Sequence, residues 1–140
     1  MPQAEMRMAR FAWWIALALL GVTGAGCGDP CGAAEDRPVP LSELPCNAMS
    51  SDGGWESHPF PPISEARCYW LEFRGCSKYE IEHSLGRVPI EVLGYTSFDA
   101  NGTFSTLGSG NSFVVQEVTD SSVTVRNSQN QLFYLRLALD

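Results

Sequence analysis

Basic residues are scarce in this chain. Nine Lys and Arg stand against 16 Asp and Glu, a formal net charge of −7. Beyond residue 26 the balance is seven to 15, or −8 (7 − 15). Nucleic acid, whose phosphates need a basic face, is therefore not an expected partner. Nor is there a polybasic patch for anionic lipid. Histidine is scarcer still: only His58 and His83. The serines lack a Gly-x-Ser-x-Gly elbow, and Gly108-Ser109-Gly110-Asn111 matches one in composition alone and reads as a loop. No glycine-rich run precedes a Lys-Ser/Thr pair, so a phosphate loop is missing. Cys-x-x-Cys pairs are missing too, which argues against metal ligation. No catalytic residue, cofactor or metal ion is expected, and the chain reads as a non-enzyme.

Long apolar runs are also absent. The longest, Phe11 to Val22, has 12 residues, whereas a membrane-spanning helix needs about 20. Arg7 and Arg10 precede this run, and Thr23-Gly24-Ala25-Gly26-Cys27 follows it. A positive start, a short apolar core and a small-residue exit are the parts of a secretory signal peptide. The exit resembles the signal of bacterial lipoproteins, which are cut on the amino side of a Cys that then carries lipid. Ala25 and Gly26 fit that pattern, while Gly24 stands where an aliphatic residue is usual. The resemblance implies a signal peptide over 1–26, acyl chains of the palmitate kind on Cys27, and attachment to a membrane through that lipid. Gly28 follows Cys27, where Asp usually marks inner-membrane retention in enteric bacteria, so the outer membrane is favoured. Ordinary signal peptidase also accepts Gly24-Ala25-Gly26, and soluble secretion is the alternative.

Proline divides the rest. Seven of nine lie between Pro30 and Pro62, and only Pro89 follows them. Such density disfavours helix and central strand, so residues 27–62 read as a tether and irregular lead-in. Residues 63–140 read as a β domain. Tyr79 to His83 alternates apolar and charged residues. Ile90 to Phe98 is rich in β-branched and aromatic residues and ends at the hairpin signal Asn101-Gly102. Ser112–Val118, Val123–Asn127 and Leu132–Leu139 are further strands, with Cys68–Phe73 a possible first one. In the last of them Phe133, Leu135, Leu137 and Leu139 share one face, with Tyr134 and Arg136 on the other. The expected fold is all-β, a small antiparallel sandwich or barrel of about six or seven short strands.

Five cysteines are present: Cys27, Cys31, Cys46, Cys68 and Cys76. Lipid on Cys27 leaves Cys31, Cys46, Cys68 and Cys76 for two bridges, with three possible pairings. If Tyr69 to Arg74 is one straight strand, Cys68 is too far from Cys76 to bond it. The lead-in cysteines then staple onto the sheet, which gives the lead-in a reason to be ordered. A bend near Arg74-Gly75 would restore the local bridge.

The most distinctive internal run is His83-Ser84-Leu85-Gly86-Arg87-Val88-Pro89. It resembles the His-x-Leu-Gly-x-x-Pro stretch of β-rich modules in phage tail and fibre-type proteins, with Ser84 where Asn is common. The structural role expected here is a turn: His83 bonds its backbone, Gly86 supplies the permissive conformation, and Pro89 starts the next strand. Glu80 and Glu82 would point away from His83 and cannot orient it. Trp55, Tyr69 and Trp70, with Phe60 and Phe73, gather aromatics near the start of the domain. They are expected to cover one end of the core, and Trp55, Tyr69 and Trp70 are the candidate binding surface for a protein or glycan. Together these features describe a non-catalytic, lipid-anchored module of the cell envelope that binds a protein or glycan. The alternatives are a structural accessory subunit of an envelope assembly, a secreted soluble protein and an unrecognised hydrolase.

Overall fold

The structure is a computed structural model that describes residues 30–140. The signal peptide expected over 1–26, and Cys27, lie outside the described residues. Among the described residues ten strands form two sheets packed face to face as a sandwich that does not close into a barrel. The four-stranded sheet runs β1 (Glu35–Val39), β5 (Ser77–Glu82), β9 (Ser122–Asn127), β8 (Val114–Val118). The larger sheet runs β2 (Ala48–Met49), β3 (Trp55–Glu56), β10 (Phe133–Leu139), β6 (Val92–Ser97), β7 (Ser105–Leu107), and β4 (Leu71–Phe73) also pairs with β10.

Alternation does what the pattern of residues implies. Tyr79 and Ile81 turn inward from β5 while Glu80 and Glu82 face solvent. Val123 and Val125 from β9 meet Leu135, Leu137 and Leu139 from β10, and Trp55, Phe73 and Phe113 fill the rest of the core. Gly94 of β6 is the close-approach point: a Cβ there would overlap the Phe113 ring. The Asn101-Gly102 turn forms, with Gly102 at φ +72° and Asn101 Oδ1 accepting the Thr103 N–H at 3.1 Å.

Where an irregular lead-in was expected, three strands lie. Pro38 sits in β1, which among the described residues pairs with β5 alone and so tolerates a residue without an N–H. The β1–β5 pair is parallel, so the sandwich is not wholly antiparallel. β7 was not anticipated, and the Cys68–Phe73 segment is divided between a 3-10 turn at Ala66–Cys68 and β4. Both disulfides cross from the proline-rich segment to the rest of the domain: Cys31 to Cys76 and Cys46 to Cys68. This is the stapled arrangement, and it explains why a proline-rich segment is ordered.

Candidate functional site

The His83 turn is built as a structural element. His83 follows β5 directly, and its N–H donates to the Ser121 carbonyl at 2.9 Å. Its Nδ1 accepts the Leu85 N–H at 3.3 Å, and Gly86 sits at φ +73°. Pro89 is buried but starts no strand, since β6 begins three residues later at Val92. Burial lowers the His83 pKa, and the Thr119 carbonyl and the Asp120 charge oppose that shift. A depression of about 310 Å³ beside the ring is lined by Leu41, Glu80, Glu82, His83, Ser121 and Ser122. Its acids come only from β5, the strand that leads into His83. Both are engaged elsewhere: Glu82 accepts the Leu41 N–H at 3.1 Å and Glu80 accepts the Ser122 hydroxyl at 3.3 Å.

The predicted aromatic surface is rearranged. Trp55 and Trp70 are buried, and Tyr69 alone of the three is exposed. Trp55 Nε1 donates to Asn47 Oδ1 at 3.2 Å, and Trp70 Nε1 donates to the Pro59 carbonyl at 3.3 Å. Trp55 belongs to the core between the sheets, and Trp70 props the 57–70 segment, which passes over the outer face of the larger sheet.

Under that segment lies a cluster that alternation along β10 did not reveal. Arg136 points to the outer face as expected, yet it is 0% exposed. Its Nε donates to the His58 carbonyl at 2.9 Å, and Nη2 lies 2.9 Å from Glu56 Oε1. The latter is a Coulombic contact and not an aligned hydrogen bond, because neither Nη1 nor Nη2 has a hydrogen-bond acceptor among the described residues. The guanidinium lies against two rings, with its carbon 4.2 Å from the Phe60 centroid and 5.2 Å from that of Tyr95. Phe60 and Tyr95 meet edge to face at 5.4 Å.

Beside Arg136, Ser57 Oγ lies 2.8 Å from His58 Nδ1 and accepts the Leu137 N–H at 2.8 Å. The pair has the contact distance of a nucleophile and its base. Both residues are buried, however, and burial, with the Arg136 charge adding, pushes the His58 pKa down to about 4. Ser57 and His58 clasp the 57–60 segment to the sheet: Ser57 exchanges bonds with Leu137 through its N–H and its hydroxyl, and the His58 carbonyl accepts from Arg136. What this face can do chemically is stack and attract. Phe60 is 57% exposed and Leu107 54% exposed, and Leu107 pairs with Tyr95, which pairs with Arg136. Side chains of directly paired residues share a face. Phe60, Tyr95 and Leu107 thus form an aromatic and apolar platform over a buried cation.

Among the described residues no group of three or more His, Cys, Asp or Glu could hold a metal ion, and no helix is long and apolar enough to cross a membrane. Comparison with family models, curated proteins and solved structures finds no match.

Proposed function

We propose that this chain is a non-catalytic module of the cell envelope, anchored through lipid on Cys27, that binds a protein or glycan on the outer face of its six-stranded sheet. The platform of Phe60, Tyr95 and Leu107 carries this reading. These residues are exposed or half-exposed apolar groups gathered on one face, and the clasp beneath them holds Phe60 in place. A simple spacer has no need of such a face, and aromatic rings suit both protein hot spots and the apolar faces of sugars. Two further observations support the location. Disulfides persist in oxidising compartments, and the two bridges take four of the five cysteines, leaving Cys27 as the fifth.

Site-directed photo-crosslinking in intact cells tests the binding face. A photoreactive residue at Leu107 is expected to yield a discrete adduct, and one at Glu117 on the opposite sheet is not. A folded Phe60→Ser/Tyr95→Ser variant is expected to lose the Leu107 adduct. Equal adducts from both sheets, or none from Leu107, would contradict the assignment.

A further inference from the structure

We propose that the end of the sandwich next to the tether is a membrane-contact surface, where Phe98 and Phe104 enter the interface of the bilayer that holds Cys27. The inference rests on the reading of Cys27 as lipidated.

Tether length fixes which end faces the lipid. Cys31 follows Cys27 by four residues and is bonded to Cys76. Four fully extended residues reach at most ~14 Å, so an acylated Cys27 holds the Cys31–Cys76 bridge within that distance of the interface. The Cys76 N–H donates to the Gln129 carbonyl at 3.0 Å, and Asn127 Nδ2 bonds the carbonyls of Phe73 and Gln131. The bridge, the end of β4 and the turn into β10 therefore share one end of the molecule.

A row of four phenylalanines crosses the larger sheet at that end. Phe133 opens β10 and pairs with Phe73. Ser97 pairs with Tyr134 and with Ser105, so one further step of the same register sets Phe98 beside Phe133 and Phe104 beside Phe98. The Phe98 and Phe133 rings are 5.4 Å apart, which agrees with that extension. Three strand spacings of about 4.8 Å carry the row ~14 Å across the sheet. Phe73 and Phe133 are buried, whereas Phe98 is 67% and Phe104 75% exposed. The row begins in the core and ends in solvent.

Charge favours lipid as the occupant. The whole chain is acidic, yet Asp99 is the only charge from Phe98 to Gln116, and Asn127 to Leu135 has none. Nearby Glu72 and Arg74 pair with each other at 2.8 Å. The Phe98–Phe104 side of this end, with Asp99 its one charge, approaches a bilayer with less repulsion than the rest of the surface would meet, while Glu35, Asp36 and Lys78 lie on the side of the bridge. Ile90, at the far end of β6, is still more exposed at 86%. It lies ~20 Å away along six residues of strand, beside Glu91 and near the Arg87–Asp140 pair. A second copy of this chain is the rival occupant. Two rings and the three-residue edge β7 fall short of the ~1,200 Å² of a stable interface, whereas a bilayer requires no matching shape.

The full chain, processed in cells and reconstituted in phosphatidylcholine vesicles, tests this with Phe104→Trp and Ile90→Trp variants. Trp55 and Trp70 are buried, and Trp13 and Trp14 belong to the leader, so each substitution adds one exposed reporter. Bromine on the lipid acyl chains is expected to quench the added emission of Phe104→Trp at least twofold and to leave that of Ile90→Trp unchanged. Equal quenching, or none at position 104, overturns the proposal. Mass spectrometry of the same sample separates the two failures. An acylated Cys27 with an unquenched reporter overturns membrane contact alone, and an unmodified Cys27 overturns the anchor and the contact together. Hydrogen exchange on the unsubstituted protein gives a check without a variant. Residues 98–107 are expected to slow in vesicles relative to lipase-treated protein, and residues 86–91 are not; unchanged exchange over 98–107 also overturns the proposal.

Discussion

At the scale of single residues, the buried polar groups set the most specific expectations. His58 carries a pKa of about 4 in the folded chain, against 6.5 for an ordinary imidazole. Between those values the unfolded chain binds the proton and the folded chain does not. Stability is then fully present above pH 6.5 and falls as pH drops toward 4, by about 3 kcal/mol at most. The lowered pKa of His83 acts in the same direction. Urea titrations from pH 7 to pH 4 are expected to show this loss, and His58→Gln is expected to flatten most of it; an unchanged slope in His58→Gln would assign the loss to other groups. Gly94 is the sharpest steric case. Gly94→Ala places a methyl group into the Phe113 ring and is expected to cost about 1–3 kcal/mol. Phe113→Leu in the same chain should restore part of that, and a neutral Gly94→Ala would show that the ring can move freely.

At the scale of elements, the two disulfides do different work. Cys46–Cys68 closes a loop of 22 residues and Cys31–Cys76 one of 45. Loop-closure entropy gives ~3.4 and ~4 kcal/mol respectively. Paired Cys→Ala variants of each bridge are expected to lose stability in that order by denaturant titration, and losses below ~1 kcal/mol would mean that the strands hold the segment unaided. The main strands were legible from the sequence because their signal is local. Glu80 and Glu82 alternate with Tyr79 and Ile81, and Asn101-Gly102 marks its own turn. β1 to β3 were not legible, because their order comes from partners far along the chain. Pro38 disguises a strand that pairs with β5, and β2 and β3 are two residues each. Arg136 shows the same limit at the site. Its face on β10 follows from alternation, but its burial comes from Glu56 to Phe60 folding over it from about 80 residues earlier.

At the scale of the molecule, the sandwich has two unlike ends and two unlike sheet faces. The outer face of the larger sheet carries the Phe60–Tyr95–Leu107 platform, while that of the smaller sheet carries Lys78, Glu80 and Glu82. Tethering through Cys27 would set the Phe98–Phe104 end toward lipid and leave the platform open to a partner at the side. The cysteine partition, one thiol for lipid and four for bridges, is the premise that joins these parts. Peptide-level mass spectrometry of the processed protein tests it most directly. The predicted result is an acylated amino-terminal Cys27, with Cys31 bonded to Cys76 and Cys46 to Cys68. An unmodified chain beginning elsewhere, or Cys27 found within a disulfide, would contradict it.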